Sequence, residues 1–361
     1  MLHAGAPARN PWGLRPGQHL QLFDAYLEAR EALEEMGEEA YEDANGTGSS
    51  MSTSDFPTYI TTLIRHTFLD RFTEVSGQWS QYTRDFSLDD FEEYTSSRWG
   101  RFPDIEEKPL QGPYNRIYLK ELPAEKMKLR EWGNAWSVTR KLIISDRLNK
   151  ISELPQLAAE ALARTMSKVA AIDSLQSNPT MFDGNALFSA NHANLGAATA
   201  LTGDMAGAAL LQALELLIAV QTDDEGFKVV PPGGRYSLIY PTEMRWVVNA
   251  LLDNELLKNA GNFLEANPIR DRYDRIEEPF FTDANNYYMF ADKKGPLGPI
   301  GHITLNGNTV PFIGRLNPQV SGIQGGSDPY TFEFDDIDFK LRHDYNFKPV
   351  EWRGAAAAFP A

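Results

Sequence analysis

The chain contains no cysteine. Disulfides, thiolate nucleophiles, iron–sulfur clusters and cysteine-ligated zinc are therefore excluded, and any covalent reinforcement would need another side-chain chemistry. Basic residues are scarce: 34 Lys and Arg face 50 Asp and Glu, a net charge of −16. That balance disfavours sequence-specific nucleic-acid binding, which needs cations against phosphates. No run approaches 18 consecutive apolar residues, and the amino terminus lacks a charged-then-apolar signal pattern, so no membrane span is predicted. Histidine is sparse: His3, His19, His66, His192, His302 and His343. No two have the i, i+4 spacing of a helical zinc site, and the glycine-rich phosphate cradles are missing. The expectation is no metal and no cofactor.

With 42% hydrophobic and 11% aromatic residues among 361, the chain can still bury a core, in one large domain or two ordinary ones. Residues 1–50 stand apart, with three Arg against nine acids, a net of −6. Gln18 to about Tyr41 reads as an exposed acidic helix with a thin stripe of Leu22, Tyr26, Leu33 and Met36. It is followed by the linker Asn45-Gly46-Thr47-Gly48-Ser49-Ser50. This acidic extension is either a leader or an ordered arm. A short helix follows over 56–72, on Ile60, Leu63, Ile64 and Phe68.

Residues 91–145 change character. Extended segments at 91–95, 127–132 and 135–139 flank a middle rich in Pro, Gly and charge, which reads as a long hairpin. Such a hairpin has too little apolar surface for its own core and needs neighbours. Its Arg and aromatic clusters, Arg98, Trp99, Arg101 and Phe102 with Tyr114, Arg116 and Tyr118, match the chemistry of protein–protein contacts. Stacking on single-stranded nucleic acid is the competing use of such clusters. The basic return segment, with Lys126, Lys128 and Arg130, would complement acidic surface on an identical neighbour.

From Glu153 to Gln176, apolar residues recur at helical spacing (Leu154, Ala158, Ala161, Leu162, Met166, Val169, Ile172, Leu175). They predict an amphipathic rod roughly 36 Å long. Further helices are expected at 205–220 and from Pro241 through about Lys258. Strands are expected at 226–230, 236–240, 287–291, 302–305, 310–313 and 337–345. Asn306-Gly307 between apolar runs reads as a hairpin turn. Candidate chemistry is thin. His192 lies among Asp183, Asn191 and Asn194, which reads as a loop whose side chains bond its own backbone. His343-Asp344 lacks a marked nucleophile. The acids Asp89-Asp90 with Glu92-Glu93, and Asp335-Asp336 with Asp338, read as solvated faces or ion-pair partners rather than a glycosidase or calcium site. No catalytic residue is assigned.

Three segments carry a family resemblance: Ser52-Thr53-Ser54-Asp55-Phe56-Pro57, the stretch from Asn178-Pro179-Thr180 through Ala190-Asn191-His192-Ala193-Asn194, and the ending 337–354. Over residues 51–355 the chain resembles the major head proteins of Mu-like tailed phages. The resemblance implies an α+β fold of the Hong Kong 97 type. That fold has an N-terminal arm (51–90), an extended β-hairpin loop (91–145), a peripheral domain with a spine helix at 153–176 (146–195 with 325–361) and an axial domain (196–324). It also implies a structural subunit of a virion capsid, assembling with itself into hexamers and pentamers of an icosahedral head in the host cytoplasm. Portal, scaffold and decoration proteins are the further partners implied, with no membrane. Packaged double-stranded DNA would be confined without being gripped, which suits the negative charge. Some relatives cross-link Lys to Asn, and no such pair is assigned here. The alternatives are an acid-rich hydrolase using paired carboxylates, or another virion part such as a connector or tail protein.

Overall fold

Two short runs, Tyr287-Tyr288-Met289-Phe290 and Ala355-Ala356-Ala357-Ala358, show no alternation of polar and apolar residues. Side chains along a strand point to opposite faces in turn, so such runs fit only a sheet covered on both sides. The computed structural model describes residues 56–75, 77–99, 105, 107–108, 116, 121–139, 153–223, 226–229, 235–291, 297–315, 320–321, 327–328 and 336–360. The chain divides into two units, Met1–Ile60 and Thr61–Ala361. Of the first, only the start of one helix is described, so the acidic extension predicted for residues 1–50 lies outside the described residues.

The first helix is α1 (Phe56–Glu74), and a 3-10 turn (Gln78–Gln81) follows it. Strands β1 (Thr83–Leu88), β2 (Tyr94–Trp99), β3 (Glu121–Met127) and β4 (Glu131–Thr139) come next. Helix α2 (Glu153–Lys168) runs on as a π-helical segment (Val169–Gln176), and α3 spans Met205–Ala219. Then come β5 (Ser237–Pro241), α4 (Arg245–Asp253), β6 (Leu256–Lys258), β7 (Leu264–Ala266), β8 (Asp274–Glu278) and β9 (Tyr287–Phe290). The chain closes with β10 (Ile300–Leu305), β11 (Phe312–Arg315), β12 (Val320–Ser321), β13 (Ser327–Asp328), β14 (Asp336–Pro349) and β15 (Ala355–Ala358). The architecture is α+β, as expected.

In the sheet β15-β9-β5-β8, the strands β15, β9 and β5 are buried on both faces. Ala355, Ala357, Tyr288, Phe290, Ile239 and Ile276 enter a core shared with Leu162, Met166, Val169 and Leu175 of the α2 rod. Ala356, Ala358, Tyr287, Met289, Leu238 and Tyr240 enter a second core, against Leu211, Leu214 and Ile218 of α3 and Val248 and Leu251 of α4. Each fully buried large apolar side chain contributes roughly 1.5–3 kcal/mol. The predicted rod is present over its whole length, but its buried stripe is wider than the periodicity implied. Beyond Lys168 the turns loosen, with the Ser177 N–H bonding the Ile172 carbonyl at 2.8 Å. Consecutive Val169, Ala170 and Ala171 are all buried as a result.

The other large sheet runs β1-β10-β14-β11, with β4 also on β14. Three sequence expectations fail locally. The Asn306-Gly307 turn forms, with φ of 51° and 70°, yet β10 and β11 do not pair with each other. Both bond to β14, at 345–349 and 339–342 respectively, because its fourteen residues offer a longer partner than either has in the other. The helix expected to reach Lys258 stops at Asp253. The Asn267 side chain donates to the Leu251 and Asn254 carbonyls (2.6 and 2.8 Å), and the chain leaves as strand β6. The strand expected at 226–230 makes one bridge, Thr222 to Lys228, since Asp223 closes a tight turn by accepting the Phe227 N–H.

Glu278, at the end of β8, is fully buried. It accepts the Tyr82 hydroxyl at 3.1 Å and the Phe280 N–H at 3.4 Å. Burial pushes its pKa from 4.5 up to about 7, against the pull of those two hydrogen bonds. The folded state therefore holds this proton more tightly than the unfolded chain, and stability falls as pH rises from 4.5 through about 7. Glu278→Gln mimics the neutral acid. Its melting temperature should match the parent near pH 5 and exceed it near pH 8, by at most about 3 kcal/mol of stability. Parallel pH profiles of the two chains in thermal unfolding would contradict a neutral Glu278.

Candidate functional site

The 178–195 stretch is a loop in which many side chains bond backbone. Asn178 brackets Phe188, donating to its carbonyl (2.9 Å) and accepting its N–H (2.8 Å). Asp183 accepts the Asn185 N–H and side-chain amide at 3.0 and 2.8 Å, and Gly184 takes φ 83° between them. Buried Asn194 accepts the Ser189 N–H and donates to the Leu187 carbonyl. Its own carbonyl accepts the Ala357 N–H, while the Gly196 N–H bonds the Ala357 carbonyl. The loop thereby closes the outer edge of β15.

His192 is the hub. Its Nδ1 meets the Leu187 carbonyl at 3.1 Å, its Nε2 meets Asp183 Oδ2 at 2.7 Å, and its ring stacks on Trp352 at 4.4 Å. Both ring nitrogens are thus engaged, leaving neither for metal ligation or proton transfer to a substrate. On Asp183, burial raises the pKa, but hydrogen bonds from Asn185 and His192 outweigh it and hold the carboxyl below its ordinary value. Arg353 lies over Trp352 at 4.3 Å and binds Glu351 and the Thr222 carbonyl. The reading of this loop as self-bonding is the arrangement observed. Trp352 and Arg353 fall in the ending 337–354, but nothing in the sequence joined them to His192.

Beside this loop is the root of the β2–β3 hairpin. Tyr94 pairs with Met127 and Trp99 with Glu121, with a register shift between Thr95 and Ser97. At the root, Glu125 accepts the Phe182 N–H at 2.6 Å and approaches Lys348 at 3.6 Å. Lys348 donates to the Lys126 carbonyl, and Asn346 to the Lys128 carbonyl. Met127 and Leu129 are buried with Leu88 and Ile303. The return leg does not continue the hairpin after residue 130: β4 pairs along β14, from Glu131 opposite Asp344 to Thr139 opposite Asp336.

Of the residues singled out for contacts, Arg98 and Trp99 fall in β2, opposite Leu122 and Glu121. Arg116 is exposed, and Arg101, Phe102, Tyr114 and Tyr118 lie outside the described residues. Lys126 pairs with Glu93 at 2.6 Å, Lys128 is exposed, and Arg130 lies 3.8 Å from Asp173. The paired acids act as capping and bridging groups: Asp90 accepts the Glu92 N–H, and Asp338 the Ser137 hydroxyl. Asp335 lies outside the described residues. His343 and Asp344 are neighbours on a strand and point to opposite faces. Burial, then the nearby His302, drives the His343 pKa down to about 4. Among the described residues no three His, Asp or Glu are grouped to hold a metal ion.

The anchored hairpin thus lies beside the self-bonded loop, and the polar side chains named above bond to backbone and to one another. The family model described as phage capsid protein matches residues 124–358, and the chain belongs to that family. Its role is that of a structural capsid protein. Among solved structures it is similar to the virus-like particle from Pyrococcus furiosus, at 10% identity and a TM-score of 0.44 over 82% of this chain and 98% of that one. It is also similar to a chain of Microbacterium phage Oxtober96, at 11% identity and a TM-score of 0.49 over 79% and 91%. A third is the procapsid of bacteriophage JBD30, at 13% identity and a TM-score of 0.44 over 85% and 76%. No curated protein matches it in sequence.

The Asn194 side chain holds the loop together, while its backbone carbonyl sets the loop against β15. Asn194→Ala, which leaves the Ser189 N–H without a partner, should lower stability by about 1–3 kcal/mol. Asn191→Ala, on the exposed side, should change it by about 0.5 kcal/mol or less. Denaturant midpoints of the two variants provide the check, and equal midpoints would contradict the assignment.

Proposed function

We propose that this chain is the major head subunit of a tailed phage or prophage, of the Hong Kong 97 type and Mu-like in kind. It would close an icosahedral shell around double-stranded DNA as hexamers and pentamers of itself. The observation that carries the reading is the β2–β3 hairpin. It is a two-stranded ladder, and Tyr94, Thr95, Lys126 and Lys128 along it are exposed. Two strands alone are marginally stable in water, so a hairpin of this kind needs a partner surface. In a capsid protein the partner is another copy, and contacts repeated around a closed ring generate shells when curvature permits.

On this reading the protein performs no catalytic step, and its location is the virion, after assembly in the host cytoplasm. Residues 51–90 form the arm, 91–145 the loop, 146–195 with 325–361 the peripheral domain and 196–324 the axial domain. Supporting that layout are the long helical rod at 153–176 and the strand β14, which laces β4, β10 and β11 together. Arg98, Trp99, Arg101, Phe102, Tyr114, Arg116, Tyr118, Lys126, Lys128 and Arg130 supply the contacts, and the excess of acid elsewhere supplies their complement. Portal, scaffold and decoration proteins are the remaining partners.

The expressed chain should give shells or large rings in negative-stain micrographs, where a connector would give rings of one size and an enzyme a compact monomer. Trp99→Ala with Arg101→Ala should leave the subunit folded by circular dichroism and cut shell yield about tenfold or more, the loss of a pair of interface anchors. Normal shell yield from that variant would sink the loop assignment.

A further inference from the structure

We infer that Glu125 is a positioning residue for assembly: it aims the reaching hairpin, and the subunit's own cores do not depend on it. The inference rests on the assembly reading above. Glu125 lies in β3 with its side chain 3% exposed, an unusual place for a carboxylate in an otherwise polar hairpin. Burying a charge is costly unless partners compensate it, and both oxygens have them. Oε1 accepts the Phe182 N–H from the 178–195 loop at 2.6 Å, and Oε2 faces Lys348 of β14 at 3.6 Å.

Those contacts belong to a set with a common direction. Lys348 also donates to the Lys126 carbonyl at 2.6 Å, and Asn346 to the Lys128 carbonyl at 2.8 Å. Residues 125, 126 and 128 of the return leg are therefore gripped in sequence, from two separate elements. Beneath them Met127 and Leu129 pack on Leu88 and Ile303. Apolar burial is non-directional and would hold the root in place without fixing its angle. Hydrogen bonds carry an angular preference and supply that restraint. Burial raises the Glu125 pKa and Asp183 adds to it, while the Phe182 N–H and Lys348 act against them.

Geometry sets how much the angle matters. A strand rises about 3.3 Å per residue, so the six residues of β2 reach roughly 20 Å, and a tilt of about 10° at the root displaces the far end by about 3.5 Å. Apolar contacts are lost beyond about 4.5 Å between heavy atoms. A modest loosening at Glu125 is thus enough to misplace the Arg98–Trp99 end of β2 on a neighbouring copy.

The test compares full-length wild type, Glu125→Ala and Glu125→Gln by hydrogen exchange and by shell yield in micrographs. Glu125→Ala should raise exchange at 94–99 and 121–127 about tenfold while leaving 153–176 and 237–241 as in the wild type, and should yield fewer or malformed shells. Glu125→Gln keeps an acceptor for the Phe182 N–H and should recover part of both. Unchanged hairpin exchange in Glu125→Ala overturns the inference. So does faster exchange with shells at normal yield, which leaves the capsid reading intact. Should Glu125→Ala not fold, the inference is overturned as far as the cores are concerned, and Lys348→Met then tests the grip itself: hairpin exchange must rise, or no part of the inference stands. Wild-type chains that form no shells would instead defeat the assembly reading, whatever the exchange shows.

Discussion

The structure depends on three adjacent strands, β15, β9 and β5, being covered on both faces. Because alternate residues of β15, β9 and β5 feed two separate cores, the α2 rod on one side and α3 with α4 on the other are obligatory neighbours of the same strands. That constraint explains an otherwise odd strand of four alanines. Its outer edge must admit the loop at 194–196, and a Cβ on Gly196 would lie 2.5 Å from Leu214 and 3.3 Å from the Ala357 carbonyl. At Gly354 a Cβ would meet the Leu297 carbonyl at 2.4 Å. Small residues here allow backbone to approach backbone, and the 178–195 loop then completes the sheet edge with its own hydrogen bonds.

Charge is handled differently at the surface and inside. Arg245 pairs with Glu277, Arg272 with Glu215 and Arg275 with Asp253, tying α3, α4 and β8 together from outside. Such half-exposed pairs are individually weak, and salt screens them. Among the described residues, the two deeply buried carboxyls are of another kind. Glu278 is neutral-leaning and faces a tyrosine, whereas Glu125 is matched to a backbone N–H and a lysine. The first is tolerated by the core; the second gives direction to a hairpin. A chain with a net charge of −16 must bring like-charged copies together. Lys126 and Arg130 at the hairpin root engage Glu93 and Asp173 within the subunit.

Much of this was legible in the residue order. The rod at 153–176 was visible because burial on one helix face repeats every 3.6 residues, and the self-bonding loop because Asn and Asp next to Gly have few other conformational uses. The hairpin announced itself by lacking the apolar surface to stand alone. What escaped was partnership. The Asn306-Gly307 turn is real, yet its flanking strands bond to β14, and β1 joins the same sheet in parallel from more than two hundred residues away. The end of α4 was overrun because its stop signal is Asn267, fourteen residues beyond the last helical turn.

Local periodicity, turn chemistry and the absence of thiols and metal-ligand spacings are properties of neighbouring residues, and the order of amino acids alone determined them. They defined the helices and several of the strands, while three short segments carried the likeness to phage head proteins. Which strand pairs with which, why Trp352 meets His192, and why Glu125 finds Phe182 and Lys348 were decided only in three dimensions. Those contacts join residues whose sequence separation carries no periodic trace.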